Sequence, residues 1–201
     1  MTEQHVSRET LQQLEVFQNL LKTWNARINL VSPGDLENLQ TRHIADSMQV
    51  YEHAPKQAKT WLDLGSGAGF PGLICAIQDQ TEGRGLKFTL VESDGRKAAF
   101  LREAARVLGI RADVVSKRIE QVPHRPFDII TARALAPLPQ LLSYAVPFAH
   151  SDTVFLFPKG SQVESELTHA AGDWHVSPER IASRTDASGT LLKLTKVTAR
   201  L

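Results

Sequence analysis

Residues 61–72, Trp-Leu-Asp-Leu-Gly-Ser-Gly-Ala-Gly-Phe-Pro-Gly, constrain the fold more than any other part of this chain. An apolar run ends in the acid Asp63 and Leu64, then passes into glycines at 65, 67 and 69. It continues into a helical pattern of Leu73, Ile74 and Ile77. Glycine on every second residue permits a sharp strand-to-helix turn and lets a ligand approach the backbone. The helix start beyond it leaves N–H groups suited to an anionic group. Such a loop holds a small charged cofactor, and which cofactor decides what the chain does.

The surrounding pattern alternates strand and helix from Lys59 onward. Strands are predicted at 60–64, 87–92, 112–116, 127–131 and 153–157, with helices at 72–80, 95–108, 137–149 and 160–171. Alternation of this kind indicates parallel strands with helices on both faces. Two last strands, 174–182 and 190–197, flank the turn Asp186-Ala187-Ser188-Gly189 and form an antiparallel pair. Before the loop, Leu11, Leu14, Phe17, Leu21, Trp24 and Ile28 recur at helical spacing behind Ser7 as N-cap. After the break Ser32-Pro33-Gly34, a second helix is predicted from Leu36 to Tyr51. Helices this short need a partner surface. The expected organisation is therefore a helical extension over 1–58, packed on an α/β main domain over 59–201.

At 201 residues with 42% hydrophobic and 22% charged residues, the composition is that of an ordinary globular protein. No apolar run approaches a membrane span. The polar start MTEQHVSRET lacks a secretory core, and Cys75 is the single cysteine. A cytoplasmic protein without disulfides is expected, with Cys75 packing rather than reacting. The seven histidines have no ligand spacing, so no metal site is expected. Net charge is +1, but residues 84–133 carry 11 Lys/Arg against 6 Asp/Glu, while 1–83 carry 6 against 10. A basic block on a neutral chain is either a set of solvated helix faces or the footprint of a phosphate backbone.

Two readings compete for the glycines. Gly67-Ala68-Gly69-Phe70-Pro71-Gly72 fits the letters of the dinucleotide pattern, which alone is weak. The strand, however, ends at Leu64, so the turn begins at Gly65 and the spacing is D-x-G-x-G-x-G. This spacing resembles class I S-adenosylmethionine-dependent methyltransferases, with Asp63 as the acid two residues before the first glycine. Glu92, at the end of the next strand, is placed to accept from both ribose hydroxyls, which either cofactor class needs. Capping of the following helix suits Asp94 better than Glu92. The antiparallel strand pair at the end tips the choice, because that methyltransferase sheet finishes the same way.

Further segments narrow the likeness. Trp24-Asn25-Ala26-Arg27-Ile28-Asn29-Leu30 and Arg42-His43-Ile44-Ala45-Asp46-Ser47 precede the loop. Phe70-Pro71-Gly72 closes it, and Arg118-Ile119-Glu120, Arg133-Ala134 and Lys159-Gly160 follow the third, fourth and fifth strands. In order and spacing the chain resembles the bacterial 16S rRNA guanine-N7 methyltransferase family, also called glucose-inhibited division protein B, from about residue 10 to 160. The resemblance implies a Rossmann-like seven-stranded sheet, S-adenosyl-L-methionine as cofactor, and methylation of N7 of one guanine in the decoding-region loop of 16S rRNA. It also implies 16S rRNA or the small ribosomal subunit as partner, with neither membrane nor obligate protein partner. Family cofactor positions fall on Gly65, Phe70, Ile119, Glu120 and Arg133. Residue reading adds Asp63, Ser66, Gly67, Gly69 and Glu92.

Guanine N7 carries an in-plane lone pair and no proton at neutral pH, so no general base is needed. Alignment of donor and acceptor is the main demand. Arg133 is expected to position either the cofactor carboxylate or an RNA phosphate. His43 and Asp46, three residues apart on one helix face, are expected to border the target pocket, one orienting the other. Arg27, Arg42, His43, Arg96, Lys97, Arg118 and Lys159 are candidate RNA contacts, and Arg102, Arg106, Arg111, Lys117 and Arg125 belong to the same basic group. Arg118 and Glu120 have a bland alternative as a surface ion pair. Rival readings are a small-molecule methyltransferase, a nicotinamide-dependent oxidoreductase and a non-catalytic cofactor-binding protein.

Overall fold

The computed structural model describes residues 7–200; the first six residues, which begin the polar N-terminal stretch, and Leu201 lie outside the described residues. A seven-stranded sheet runs through the molecule in the order β3-β2-β1-β4-β5-β7-β6. Strands β1 (Thr60–Leu64), β2 (Lys87–Val91), β3 (Ala112–Val115), β4 (Ile129–Ala132) and β5 (Val154–Lys159) are parallel. The last two, β6 (Trp174–Ala182) and β7 (Thr190–Ala199), pair antiparallel to each other, and β7 is antiparallel to β5. The strand order reverses between β2 and β4 around β1, so the loop after β1 opens into the crevice where such sheets bind ligands.

Both faces are covered, which is why the parallel strands are apolar on both sides. On one face Leu62, Leu64, Ile130, Ala132, Phe155 and Phe157 pack against α6 (Leu138–Ala145), its 3₁₀ continuation Val146–Phe148, and α7 (Val163–Asp173). On the other, Leu90 meets α4 (Gly72–Glu82) and α5 (Gly95–Val107), which in turn meet Leu14, Phe17 and Leu21 of α1 (Arg8–Asn25). Trp61, Phe88 and Leu156 of the same face bury against Val50 and Tyr51 of α3 (Ala45–Glu52).

Two local expectations are corrected. Leu11 is 48% exposed, and the stripe of α1 instead begins with Thr10, whose hydroxyl is buried against Thr81 of α4 at 2.8 Å. The single helix over 36–51 is broken into α2 (Pro33–Glu37), a π turn at Leu39–Ile44, and α3. Leu39 and Ile44, five residues apart, are both buried, and the wider i→i+5 turn brings that spacing onto one face. The break also sets the positions of Arg42 and His43.

Candidate donor and acceptor site

The loop after β1 turns on Gly65, Gly67 and Gly69, all in the left-handed region at φ 67°, 53° and 93°. Ser66 N–H donates to the Val91 carbonyl, and Gly69 N–H to that of Ser66. A side chain at Gly67 would meet nothing nearer than the Gly65 carbonyl at 3.8 Å, so this position stays open to a ligand. Glu92 lies beneath it: Oε2 accepts from the Gly67 N–H at 2.9 Å and Oε1 from the Asp94 N–H at 2.7 Å. A carboxylate offers about four lone-pair sites, so two remain for a pair of ribose hydroxyls. Asp94, not Glu92, caps α5, accepting from the Arg96 and Lys97 amides. Ile119 and the exposed Glu120 stand on the 3₁₀ turn after β3; Arg118 is exposed, and no Arg118–Glu120 ion pair is found among the described residues.

Asp63 is corrected from ligand contact to internal support. It has no exposed surface and faces α4. Its Oδ1 accepts from the Thr131 hydroxyl at 2.7 Å, which itself accepts from Trp61 Nε1–H at 2.9 Å. Its Oδ2 has no hydrogen-bond partner among the described residues, and burial pushes the carboxyl up to about 6. Gly72 allows this: a Cβ there would lie 2.6 Å from Asp63 Oδ2 and 2.7 Å from Leu90 Cδ2. The closing glycine therefore serves close helix-to-strand packing. Phe70 is turned into the core against Phe17, ring centroids 5.6 Å apart, and also meets the His43 ring at a 33° tilt.

Beyond β4 the chain runs Arg133-Ala134-Leu135-Ala136-Pro137, with Ala134 at φ 51°. A Cβ on Gly65 would meet Leu135 Cδ1 at 2.8 Å. The same Leu135 lines a cavity of about 490 Å³ together with Arg42, Asp46, Arg133, Lys159 and Asp186. One side chain thus stands between the glycine loop and this cavity.

Asp46 anchors the cavity wall: its Oδ1 accepts from the hydroxyls of Ser183 and Thr185 in the β6–β7 turn, Ser183 at 3.0 Å. Arg133 Nη2 lies 3.8 Å from Asp46 Oδ2, and Arg133 Nη1 is buried without a partner among the described residues. Burial lowers the Arg133 guanidinium below its ordinary range, against the pull of Asp46. The expected His43–Asp46 partnership is not made. His43 Nε2 pairs with Asp35 Oδ1 at 2.8 Å, and burial, with Arg133 nearby, lowers its pKa. Lys159 is likewise not a free cation: its Nζ contacts Glu166 Oε2 at 2.7 Å and donates to the Ala136 carbonyl at 3.1 Å.

The basic candidates divide. Arg27, Arg96 and Lys97 line one cleft of about 210 Å³ between the end of α1 and the start of α5, apart from the cavity that Arg42 lines. Arg102 donates to the Val114 carbonyl, Arg106 pairs with Glu103, and Arg125 reaches Thr89 and covers the Phe127 ring. Arg111 and Lys117 are exposed. Leu135, Ser183, Thr185, Asp186, Glu166 and Thr131 were not singled out from the sequence. The turn at 186–189 was visible as a hairpin, but nothing local showed that it folds back onto Asp46.

The profile of the rRNA small subunit methyltransferase G family matches residues 10–189. The chain is 53% identical over 189 residues to Ribosomal RNA small subunit methyltransferase G of Gluconobacter oxydans, covering 94% of this chain and 95% of that one. It is 50% identical over 194 residues to the protein of that name from Ruegeria pomeroyi, covering 96% and 95%. Among solved structures, an O-methyltransferase from Bacillus cereus in complex with SAH superposes with TM-score 0.62 at 15% identity, covering 96% and 94%. A putative S-adenosyl-L-methionine-dependent methyltransferase from Methanococcus maripaludis superposes with TM-score 0.60 at 12% identity, covering 100% and 99%. At these identities the structural likeness speaks for the fold, which is that of class I methyltransferases.

Proposed function

The chain belongs to the rRNA small subunit methyltransferase G family, and from that membership we propose that it methylates N7 of one guanine in the decoding-region loop of 16S rRNA. One observation carries the reading: Leu135 touches the glycine loop on one side and lines the Asp46–Arg133 cavity on the other. Sites that share one wall residue are immediate neighbours, which a direct group transfer requires.

The residues around the loop fit S-adenosylmethionine, which when bound supplies a methyl group already activated by its sulfonium. Glu92 keeps lone pairs for the ribose, Ile119 and Glu120 flank the adenine position, and the open backbone at Gly67 admits the methionine part. In this reading Gly65, Ser66 and Gly69 shape the loop, Phe70 fixes it to the core, and Asp63 supports it from behind. Arg133 positions the acceptor side of the site, offset by Asp46 so that no bare cation opposes the positive charge growing on the purine. No base is required, and His43, expected to border the target pocket, is held by Asp35 and Phe70 and does not line the cavity.

The cleft of Arg27, Arg96 and Lys97 and the exposed Arg42 and Arg118 are assigned to phosphates of the RNA. A-form RNA hides its major-groove edge, so the target base enters the cavity splayed from its stack. In this reading the partner is 16S rRNA or the small subunit in the cytoplasm, without an obligate protein partner. Purified protein, methyl-labelled S-adenosylmethionine and small ribosomal subunits should yield label in N7-methylguanine. Label transferred only to small-molecule acceptors, or none, would overturn the reading.

A further inference from the structure

We infer that Asp46 is a specificity-determining residue, its Oδ2 accepting from the 2-amino and N1–H edge of the guanine; this rests on the function proposed above. The carboxylate is divided in its duties. Oδ1 is fixed by the hydroxyls of Ser183 and Thr185, whereas Oδ2 has no hydrogen bond among the described residues, its nearest cation standing off at 3.8 Å. That cation, Arg133, has a buried Nη1 without a hydrogen-bond partner among the described residues. An acceptor without a hydrogen bond thus shares one cavity wall with a guanidinium, and a ligand bringing its own donors and acceptor completes both.

Their chemistry selects the ligand. The Watson–Crick edge of guanine shows the O6 acceptor beside the N1–H and 2-amino donors, complementary to Arg133 beside Asp46. Adenine reverses the order, with a 6-amino donor beside the N1 acceptor, and would set donor against donor and acceptor against acceptor. Engagement of this edge leaves the N7 edge of the purine free for the methyl donor. Two hydroxyls from the β6–β7 turn hold the carboxylate in place, so it need not be ordered when the base arrives.

The test compares kcat/KM on small-subunit RNA carrying guanosine or inosine at the target position; inosine keeps O6, N7 and N1–H and lacks the 2-amino group. Wild-type protein is expected to favour guanosine by roughly tenfold or more, the usual size of a lost base-edge contact. Asp46→Asn is expected to treat guanosine and inosine alike, below the wild-type rate on both, and to keep wild-type S-adenosylmethionine affinity by calorimetry. Equal wild-type rates on both substrates overturn the inference whether or not the variant folds. So does an Asp46→Asn protein that still discriminates. If wild-type protein methylates neither RNA, the proposed function itself has failed, and the inference fails with it.

Discussion

Replacing Lys159 separates two roles that the sequence alone could not. The Lys159–Glu166 pair is mostly buried, its side chains 10% and 21% exposed, and it ties down the loop after β4 at two points. Lys159 holds the Ala136 carbonyl, and Glu166 Oε2 also accepts from the Leu138 N–H at 2.7 Å. Removing one partner of a fully buried pair costs about 3–5 kcal/mol, and an exposed pair contributes about 0–1 kcal/mol. With this exposure Lys159→Met should cost about 2–3 kcal/mol. For a chain of this size that is roughly a 5–10 °C fall in Tm. Methyl transfer should fall as well, because the freed loop carries Arg133 and Leu135. Thermal unfolding combined with RNA binding at several salt concentrations reads both quantities. An anchor lowers Tm and leaves the slope of log K against log salt unchanged. A phosphate contact would leave Tm unchanged and flatten the slope by about 0.7–0.9, and that result would refute the assignment.

The two glycines at opposite ends of the loop should fail differently. Gly72→Ala forces its methyl into Asp63 and Leu90, costing about 1–3 kcal/mol in unfolding experiments. Gly67→Ala costs about 1–2 kcal/mol for its left-handed backbone but should weaken S-adenosylmethionine binding more than tenfold by calorimetry; the opposite pattern would be inconsistent with the geometry. The Asp63 carboxyl, raised from 3.8 to about 6, stays protonated in the folded chain where the unfolded chain has already ionised. Wild-type stability should therefore drop, as pH rises from about 4 to 7, by about 3 kcal/mol relative to Asp63→Asn, which cannot ionise; parallel denaturant curves would contradict this. Arg27→Ala and Lys97→Ala together should flatten the salt dependence of RNA binding by about 1.5, whereas Arg106→Ala, already paired with Glu103, should leave it unchanged.

Local features were read well from the sequence because their causes are local. Apolar runs alternating with helical patterns place the five parallel strands and the turn at 186–189 the last pair, and the ends of β1 and β2 put Gly65 and Glu92 beside the crevice. The helix over 36–51 misled because a π turn is invisible to a 3.6-residue period. Residue type alone could not tell Lys159 from an exposed lysine, since its partner Glu166 lies on the following helix. His43 was likewise assigned the wrong acid: Asp46 is near in sequence, but the turn points His43 back to Asp35. The cavity wall is least legible of all. Asp46 meets Ser183 and Thr185 across more than a hundred residues, a contact that only the returning β6–β7 hairpin creates.

The central claim is that the cavity beside the glycine loop receives one guanine of small-subunit RNA. It is tested most directly by aniline-cleavage mapping of N7-methylguanine in 16S rRNA from cells with and without this protein. The expected result is one cleavage site in the decoding-region loop, lost on deletion and restored by the wild-type gene but not by the Gly67→Ala variant. An unchanged cleavage pattern after deletion would contradict the account.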